Sequence, residues 1–363
     1  LETKAIWKQS GQIWAATFAV MKATNYFFLL CLALLPGFFS CKNSSSQADP
    51  AAAAAPATGN PAIDGLTQKI QKSPSDASLY AARGATYYEN ENFDEGIADL
   101  EHAIALDSSK AEYYHALADM YLDYYKSRMG LNVMERAAAT FPKRVPTLLK
   151  LAEFQLILKQ YNQALFTLER IRVIDPLNAE MLFSFGNVFR EMGKPDQAIT
   201  AYQSAVENDP DLVDAWISLG QLLADKGSTQ AIKYFDNALR ADSTSIHALH
   251  AKADYLAQKK NDLSGAVRLY KKVNSLDPQF EEGYYNLGLI YLDMDSVEQA
   301  YKSFDRAIQV APSYAEAYFH RGVAAEKKGD RSQAKADYEN VLRIDPEFAA
   351  AKEGLKRLGG GKG

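Results

Sequence analysis

The sequence is poor in the residues that most chemistry needs. It holds 2 cysteines in 363 residues, Cys31 and Cys41, and none follows Cys41. The long remainder therefore has no internal disulfide to rely on. Tryptophan numbers 3 and histidine 5. Trp7 and Trp14 precede Met21, and Trp216 occupies a packing position described below, so exposed platforms for stacking a sugar are scarce. There is no phosphate-cradling Gly loop, no nucleophile elbow and no HExxH pair. No lysine–arginine stripe interrupts a net charge of −5, which speaks against nucleic acid as a partner. No cofactor is implied. One cluster has ligand-like spacing: His247, His250 and Asp254 stand three and four residues apart on one helical face. A polar groove wall has the same spacing, and metal binding is the lesser reading.

The apolar run Tyr26 to Leu35 (YFFLLCLALL) follows Met21-Lys22 and ends at Pro36-Gly37. A basic start, about ten apolar residues and a small residue at the cut make the layout of a secretory signal over 21–40. The run falls short of the roughly 20 residues that span a bilayer. An anchor built by adding Ile13 to Met21 would place Lys22 near mid-membrane, where a charge is costly. Residues 1–20 are read as a start-site extension upstream of this signal. Residues 41–62, rich in Ser, Ala and Pro, cannot bury enough surface to offset ordering entropy and read as a tether. Such a tether averages roughly 25 Å end to end and reaches about 70 Å stretched.

From residue 77 one unit recurs. Eight copies are expected at 77–110, 111–144, 145–178, 179–212, 213–245, 246–280, 281–314 and 315–348. The fourth residue is large: Tyr80, Tyr114, Leu148, Leu182, Trp216, Leu249, Tyr284 and Tyr318. The eighth is small: Gly84, Ala118, Ala152, Gly186, Gly220, Ala253, Gly288 and Gly322. A second small position (Gly96 to Ala334) precedes by four a large one: Leu100, Met134, Leu168, Tyr202, Phe235, Tyr270, Phe304 and Tyr338. Apolar residues at three- and four-residue spacing define helix faces, so each unit reads as two helices. Pro closes six units and stops the second helix. The fifth unit is one residue short and the sixth one long, differences expected in the turn between helices. A helix over 63–76 should precede the first unit, a capping helix over 349–358 should follow the last, and 359–363 is a tail. The seventh position, expected apolar, is Arg83, Lys252 and Arg321 in units one, six and eight, which should loosen them. Unit two reads DYYKSRMGL where a Gly turn is usual.

This pattern resembles the tetratricopeptide repeat family over residues 77–348. The resemblance implies an all-α, right-handed α-solenoid with first helices lining a concave, protein-binding face. In that family positions two, five, nine and twelve line the groove. Carried over, they give Tyr88, His115, Asp119, Leu122, Leu149, Glu153, Leu156, Phe183, Asn187 and Arg190 in the first half. In the second half they give Ile217, Gln221, His250, Asp254, Tyr285, Leu289, Leu292, Phe319, Val323 and Glu326. Position two is acidic in Glu112, Glu180, Asp214, Glu282 and Glu316, which helix-start electrostatics also explains. Asp119, Glu153, Asp254 and Glu326 outnumber Arg190, so a basic or amphipathic segment of another protein is the expected occupant. The Lys-rich clamp with which some family members hold acidic tails is absent.

Ser40-Cys41 resembles the bacterial lipoprotein signal, although Phe38 stands where Leu is usual. The resemblance implies lipidation at Cys41, and Lys42 lacks the acid tied to inner-membrane retention. The expectation is a non-catalytic scaffold lipid-anchored in the bacterial cell envelope, at the outer membrane. The alternatives are a lipoprotein binding glycan or peptidoglycan, an assembly lipoprotein of secretion or pilus machinery, and a metal-dependent enzyme at His247, His250 and Asp254.

Overall fold

The computed structural model describes residues 59–359. The upstream extension, the signal, Cys41 and most of the tether lie outside the described residues. The chain divides into two compact parts, one ending at Pro74 and one beginning at Ser75. In the first, helix α1 spans Pro61–Lys72. The Asn60 side chain accepts from the N–H groups of Ala62 and Ile63, and Pro61 holds the first helical position. The helix thus begins inside the expected tether, at 61 rather than 63. It ends at Lys72 rather than 76, since Ser73 precedes Pro74 and is steered out of the helical region.

The second part is a series of helix pairs. They are α2 (Ala77–Glu89) with α3 (Phe93–Leu106), α4 (Ala111–Asp123) with α5 (Ser127–Thr140), α6 (Val145–Ile157) with α7 (Tyr161–Ile174), and α8 (Ala179–Glu191) with α9 (Pro195–Asn208). Then come α10 (Val213–Asp225) with α11 (Ala231–Ala241), α12 (Ile246–Tyr255) with α13 (Leu263–Leu276), α14 (Glu281–Asp293) with α15 (Val297–Val310), and α16 (Ala315–Lys328) with α17 (Arg331–Ile344). Helix α18 (Ala349–Gly359) closes the stack. Among the described residues there is no strand, and no helix is long and apolar enough to cross a membrane. The architecture is an α-solenoid of tandem helical repeats.

One contact recurs in each pair. The eighth residue, always Gly or Ala, is buried, and so is the large residue of the second helix. A β-carbon at Gly186 would stand 2.3 Å from the Tyr202 ring, and one at Gly288 2.5 Å from Phe304. The rings therefore lie directly on backbone. At the end of the stack Tyr338 is held between Gly322 and Gly354 of α18, so the last ring is covered on both sides. Outside the pairs, first helices of successive repeats touch each other, as α2 does α4, α4 does α6 and α6 does α8, while second helices pack mainly on first helices. The stack consequently curves with first helices inside.

The turn inside each repeat uses one backbone device. A single residue takes positive φ, between 52° and 82°, at Glu91, Tyr125, Lys159, Gly193, Gly227, Asn261, Asp295 and Gly329. The next amide donates back across the helix end, as Lys194 N–H does to the Phe189 carbonyl at 2.9 Å. Tyr125 shows that unit two keeps this turn without Gly. The turn between repeats is set by an aspartate ahead of the closing Pro or Ser. Asp107, Asp209, Asp242, Asp277 and Asp345 each accept the amide two residues on, at 2.8–3.0 Å. The extra residue of the sixth repeat does not enlarge a turn. It is absorbed as a π-helical segment, Leu256–Lys260, which continues α12.

The basic seventh positions do not loosen their repeats. Arg83 Nε donates to Asp99 at 2.7 Å. Lys252 Nζ donates to Asp236 at 2.5 Å. Arg321 grips Asp337, whose side chain is 0% exposed, and Asp305 of the preceding repeat. Burial works against the Arg321 charge, but the two carboxylates outweigh it and raise its pKa. An apolar position thus became a cross-helix ion pair because its partner helix supplies the acid sixteen residues away in sequence.

His320 sits among the rings of Tyr285, Phe304 and Phe319. Its Nδ1 donates to the Glu316 carbonyl at 2.9 Å, and its buried Nε2 has no hydrogen-bond partner. Burial lowers its pKa to about 4. An unfolded histidine takes up its proton near pH ~6.5, so the unfolded chain binds more protons between there and the folded value. The stability from neutral His320 is full above about pH 6.5 and falls by roughly 3 kcal/mol toward pH ~4. Urea midpoints over this range should fall more steeply in wild type than in His320→Phe; equal slopes would contradict this.

Candidate partner-binding groove

Three consecutive first helices, α4, α6 and α8, form the walls of one cleft of about 440 Å³. It brings together His115, Leu149, Glu153, Leu156, Phe183 and Asn187, six residues that the repeat positions single out. Pro146, Lys150, Ala152, Glu180, Ser184 and Val188 complete the lining. Leu149, Leu156, Phe183 and Val188 supply apolar surface, while Glu153 and Glu180 supply acid. His115 Nε2 lies 3.0 Å from Thr147 Oγ1, and burial, with Lys150 and Arg144 nearby, lowers its pKa, which favours the neutral ring.

The groove acids differ in what they are already doing. Asp119 is paired with Lys150 Nζ at 2.6 Å. Asp254 accepts from the Tyr270 hydroxyl at 2.5 Å. Glu326 accepts from the Tyr338 hydroxyl at 2.6 Å and pairs with Arg357 at 3.0 Å. Glu153 alone of the four has no hydrogen-bond or ion-pair partner among the described residues. It is exposed on the cleft wall, and partial desolvation there acts on its carboxyl. That desolvation raises its pKa, with Asp119 adding in the same direction against Lys150.

The other expected lining residues are dispersed. Ile217, His250, Tyr285 and Leu289 belong to the core, at 7%, 4%, 8% and 5% exposure. Phe280 closes over His250, and the Tyr314 ring lies tilted against Tyr285 at 4.9 Å, so the residue at the end of each repeat folds back over position five of the same repeat. Leu122, Leu292, Val323 and Phe319 are half-buried, Phe319 against Phe348 at 5.3 Å. Tyr88 gives its hydroxyl to Asp123, which pushes its pKa up to about 12. Gln221 and Arg190 are exposed, the latter 3.7 Å from Glu191. His250 Nδ1 is 3.4 Å from Asp254, while its Nε2 is 3.1 Å from Asn286 Nδ2. Among the described residues no group of three or more His, Cys, Asp or Glu is arranged to hold a metal ion, and His247, His250 and Asp254 do not form one.

Of the six lining residues outside the expected groove set, the two charged ones were missed for different reasons. Lys150 stands at position six, outside the four groove positions, yet pairs with Asp119 one repeat earlier. Glu180 was attributed to helix-start electrostatics, but its helix curves it into the cleft.

Family models described as TPR repeat match residues 186–227 and 255–295. Models described as tetratricopeptide repeat match 77–110, 281–314 and 315–348. Among curated proteins the chain is similar to protein O-mannosyl-transferase TMTC1 of Homo sapiens, 24% identical over 194 residues, covering 52% of this chain and 22% of that protein. It spans about a fifth of the length of the curated relatives it matches. Among solved structures it resembles the APC/C hetero-tetramer Cut9-Hcn1, with TM-score 0.52 and 17% identity over 82% of this chain and 58% of that one. It also resembles pilF of Pseudomonas aeruginosa, with TM-score 0.50 and 17% identity over 58% of this chain and 96% of that one. These likenesses show the fold.

Because folding desolvates the Glu153 carboxylate without pairing it, the folded chain holds its proton more tightly than the unfolded chain. The charge therefore lowers stability at neutral pH, and the loss disappears as pH falls below the ordinary carboxylate range. Glu153→Gln is expected to raise the melting temperature at pH 7 and leave it unchanged at pH 4. A lower melting temperature at pH 7 would show that the carboxylate is already compensated.

Proposed function

The chain belongs to the tetratricopeptide repeat family, and from that premise we propose that it is a non-catalytic scaffold that recruits another protein through the cleft between α4, α6 and α8. The repeat fold is in general a protein-interaction scaffold. The observation that carries this reading is Glu153, an exposed carboxylate with no hydrogen-bond or ion-pair partner among the described residues, set beside Leu149, Leu156 and Phe183. A lysine or arginine of a partner would complete it, and an adjacent apolar side chain would fill the floor. The occupant is therefore a short basic, amphipathic segment. The location is the bacterial cell envelope, with a lipid on Cys41 holding the chain to the outer membrane; support comes from the signal-like sequence 21–40 and the Ser40-Cys41 junction.

Crosslinking capture from native envelopes tests this, comparing wild type with Glu153→Lys combined with Phe183→Ala. The expected result is one or a few proteins lost with the variant, crosslinked through a segment bearing Lys or Arg beside an apolar residue. Capture that survives the double variant, or crosslinks to acidic segments or glycan, would overturn the assignment.

A further inference from the structure

The cleft between α4, α6 and α8 holds a second carboxylate besides Glu153. Glu180 is exposed at the second position of α8, and its side chain has no hydrogen-bond or ion-pair partner among the described residues. Lys150 of the same cleft is engaged by Asp119 at 2.6 Å. Arg190 lies toward the other end of α8, 3.7 Å from Glu191. The two acids stand at a defined offset. α6 and α8 each run 13 residues from the first position of their repeats. The cleft takes matching positions from both: Pro146 with Glu180, Leu149 with Phe183, and Glu153 with Asn187. A second helix turns back between them, so α6 and α8 run the same way with these pairs level. Glu153 and Glu180 are therefore separated by seven positions along the helix axis and by one helix across it. That is about 10 Å each way, or about 14 Å on the diagonal. Leu149 and Phe183 flank the middle of that diagonal, one from each helix.

An extended chain matches this arrangement. Alternate residues of a strand point the same way at about 3.3 Å per residue, so side chains i, i+2 and i+4 share one face over about 13 Å. A helix aligns side chains i and i+7 over only about 10.5 Å, and its body is about 10 Å wide, too large to seat between these walls. Resting on the scaffold reading above, we infer that Glu180 is a second specificity-determining residue of the cleft. The occupant is an extended segment with a basic residue, an apolar residue two places on, and a second basic residue two places after that. One cation meets Glu153 and the other meets Glu180, while the apolar side chain enters between Leu149 and Phe183. Glu180 thus selects for spacing as well as for sign, since two adjacent cations reach only one of the acids.

Fluorescence anisotropy of two synthetic peptides of equal charge against the full chain tests the inference. Their central sequences are Lys-Ser-Phe-Ser-Lys, the spaced peptide, and Lys-Lys-Phe-Ser-Ser, the adjacent one, each flanked by glycines and blocked at both ends. The spaced peptide should bind with a dissociation constant of roughly 10–100 μM, about fivefold tighter than the adjacent one. Glu180→Gln should weaken the spaced peptide to the level of the adjacent one and leave the adjacent one unchanged. Glu153→Gln should weaken both, with the melting of each variant checked. Equal affinity of the two peptides for wild type would overturn the inference, as would a spaced peptide indifferent to Glu180→Gln. If Glu153→Gln still weakened both, the scaffold reading would survive that result. Failure of either peptide to bind wild type, or binding indifferent to both variants, would overturn the inference and the cleft reading together.

Discussion

Everything in the repeated part depends on a large side chain lying on bare backbone. In each pair the first helix offers Gly or Ala and the second presses a Leu, Met, Phe or Tyr against it, with no β-branch or long chain between. That sets how close the two helices come. The closeness lets the next first helix pack in the groove they make, and repetition converts it into a curved stack. Stability then comes from nearest-neighbour burial, so the chain can be long without a single large core.

The same contact reaches the concave face. Where the ring is tyrosine, its hydroxyl passes the bare position and meets a polar residue on the inner wall. Tyr202 donates to Asn187 at 2.8 Å, Tyr270 to Asp254 and Tyr338 to Glu326. These partners are thereby fixed in place and partly spent. In repeat three the large residue is Leu168, which has no hydroxyl, and Glu153 is left without a donor. The acid free for a partner is the one that the core does not use.

The eight-fold pattern, the helix pairing and the closing prolines were legible because they follow from spacing and residue size, which survive in one dimension. The position of the cleft was half legible. His115, Leu149, Glu153, Leu156, Phe183 and Asn187 follow from counting along each repeat. What counting cannot see is contact between repeats. Asn286 and His320, each from the repeat that follows, meet His250 and Tyr285, while Phe280 and Tyr314 fold back over them from the ends of the same repeats. Arg321 looked like a defect because its two acids lie sixteen residues away in both directions. The π-helical segment was hidden for a similar reason: an extra residue in sequence does not say whether a turn or a helix absorbs it.

The central claim is best tested where two principles predict opposite signs. Alanine is favoured over glycine inside a helix by about 1 kcal/mol, so propensity alone would have Gly288→Ala stabilise the protein. If the Phe304 ring rests on that backbone, the added methyl overpacks the contact and should destabilise it by about 2 kcal/mol. Hydrogen exchange across α14 and α15 measures this directly. Gly288→Ala should reduce protection of both helices, with partial recovery when Phe304→Leu is added. Protection equal to or above wild type in Gly288→Ala would contradict it.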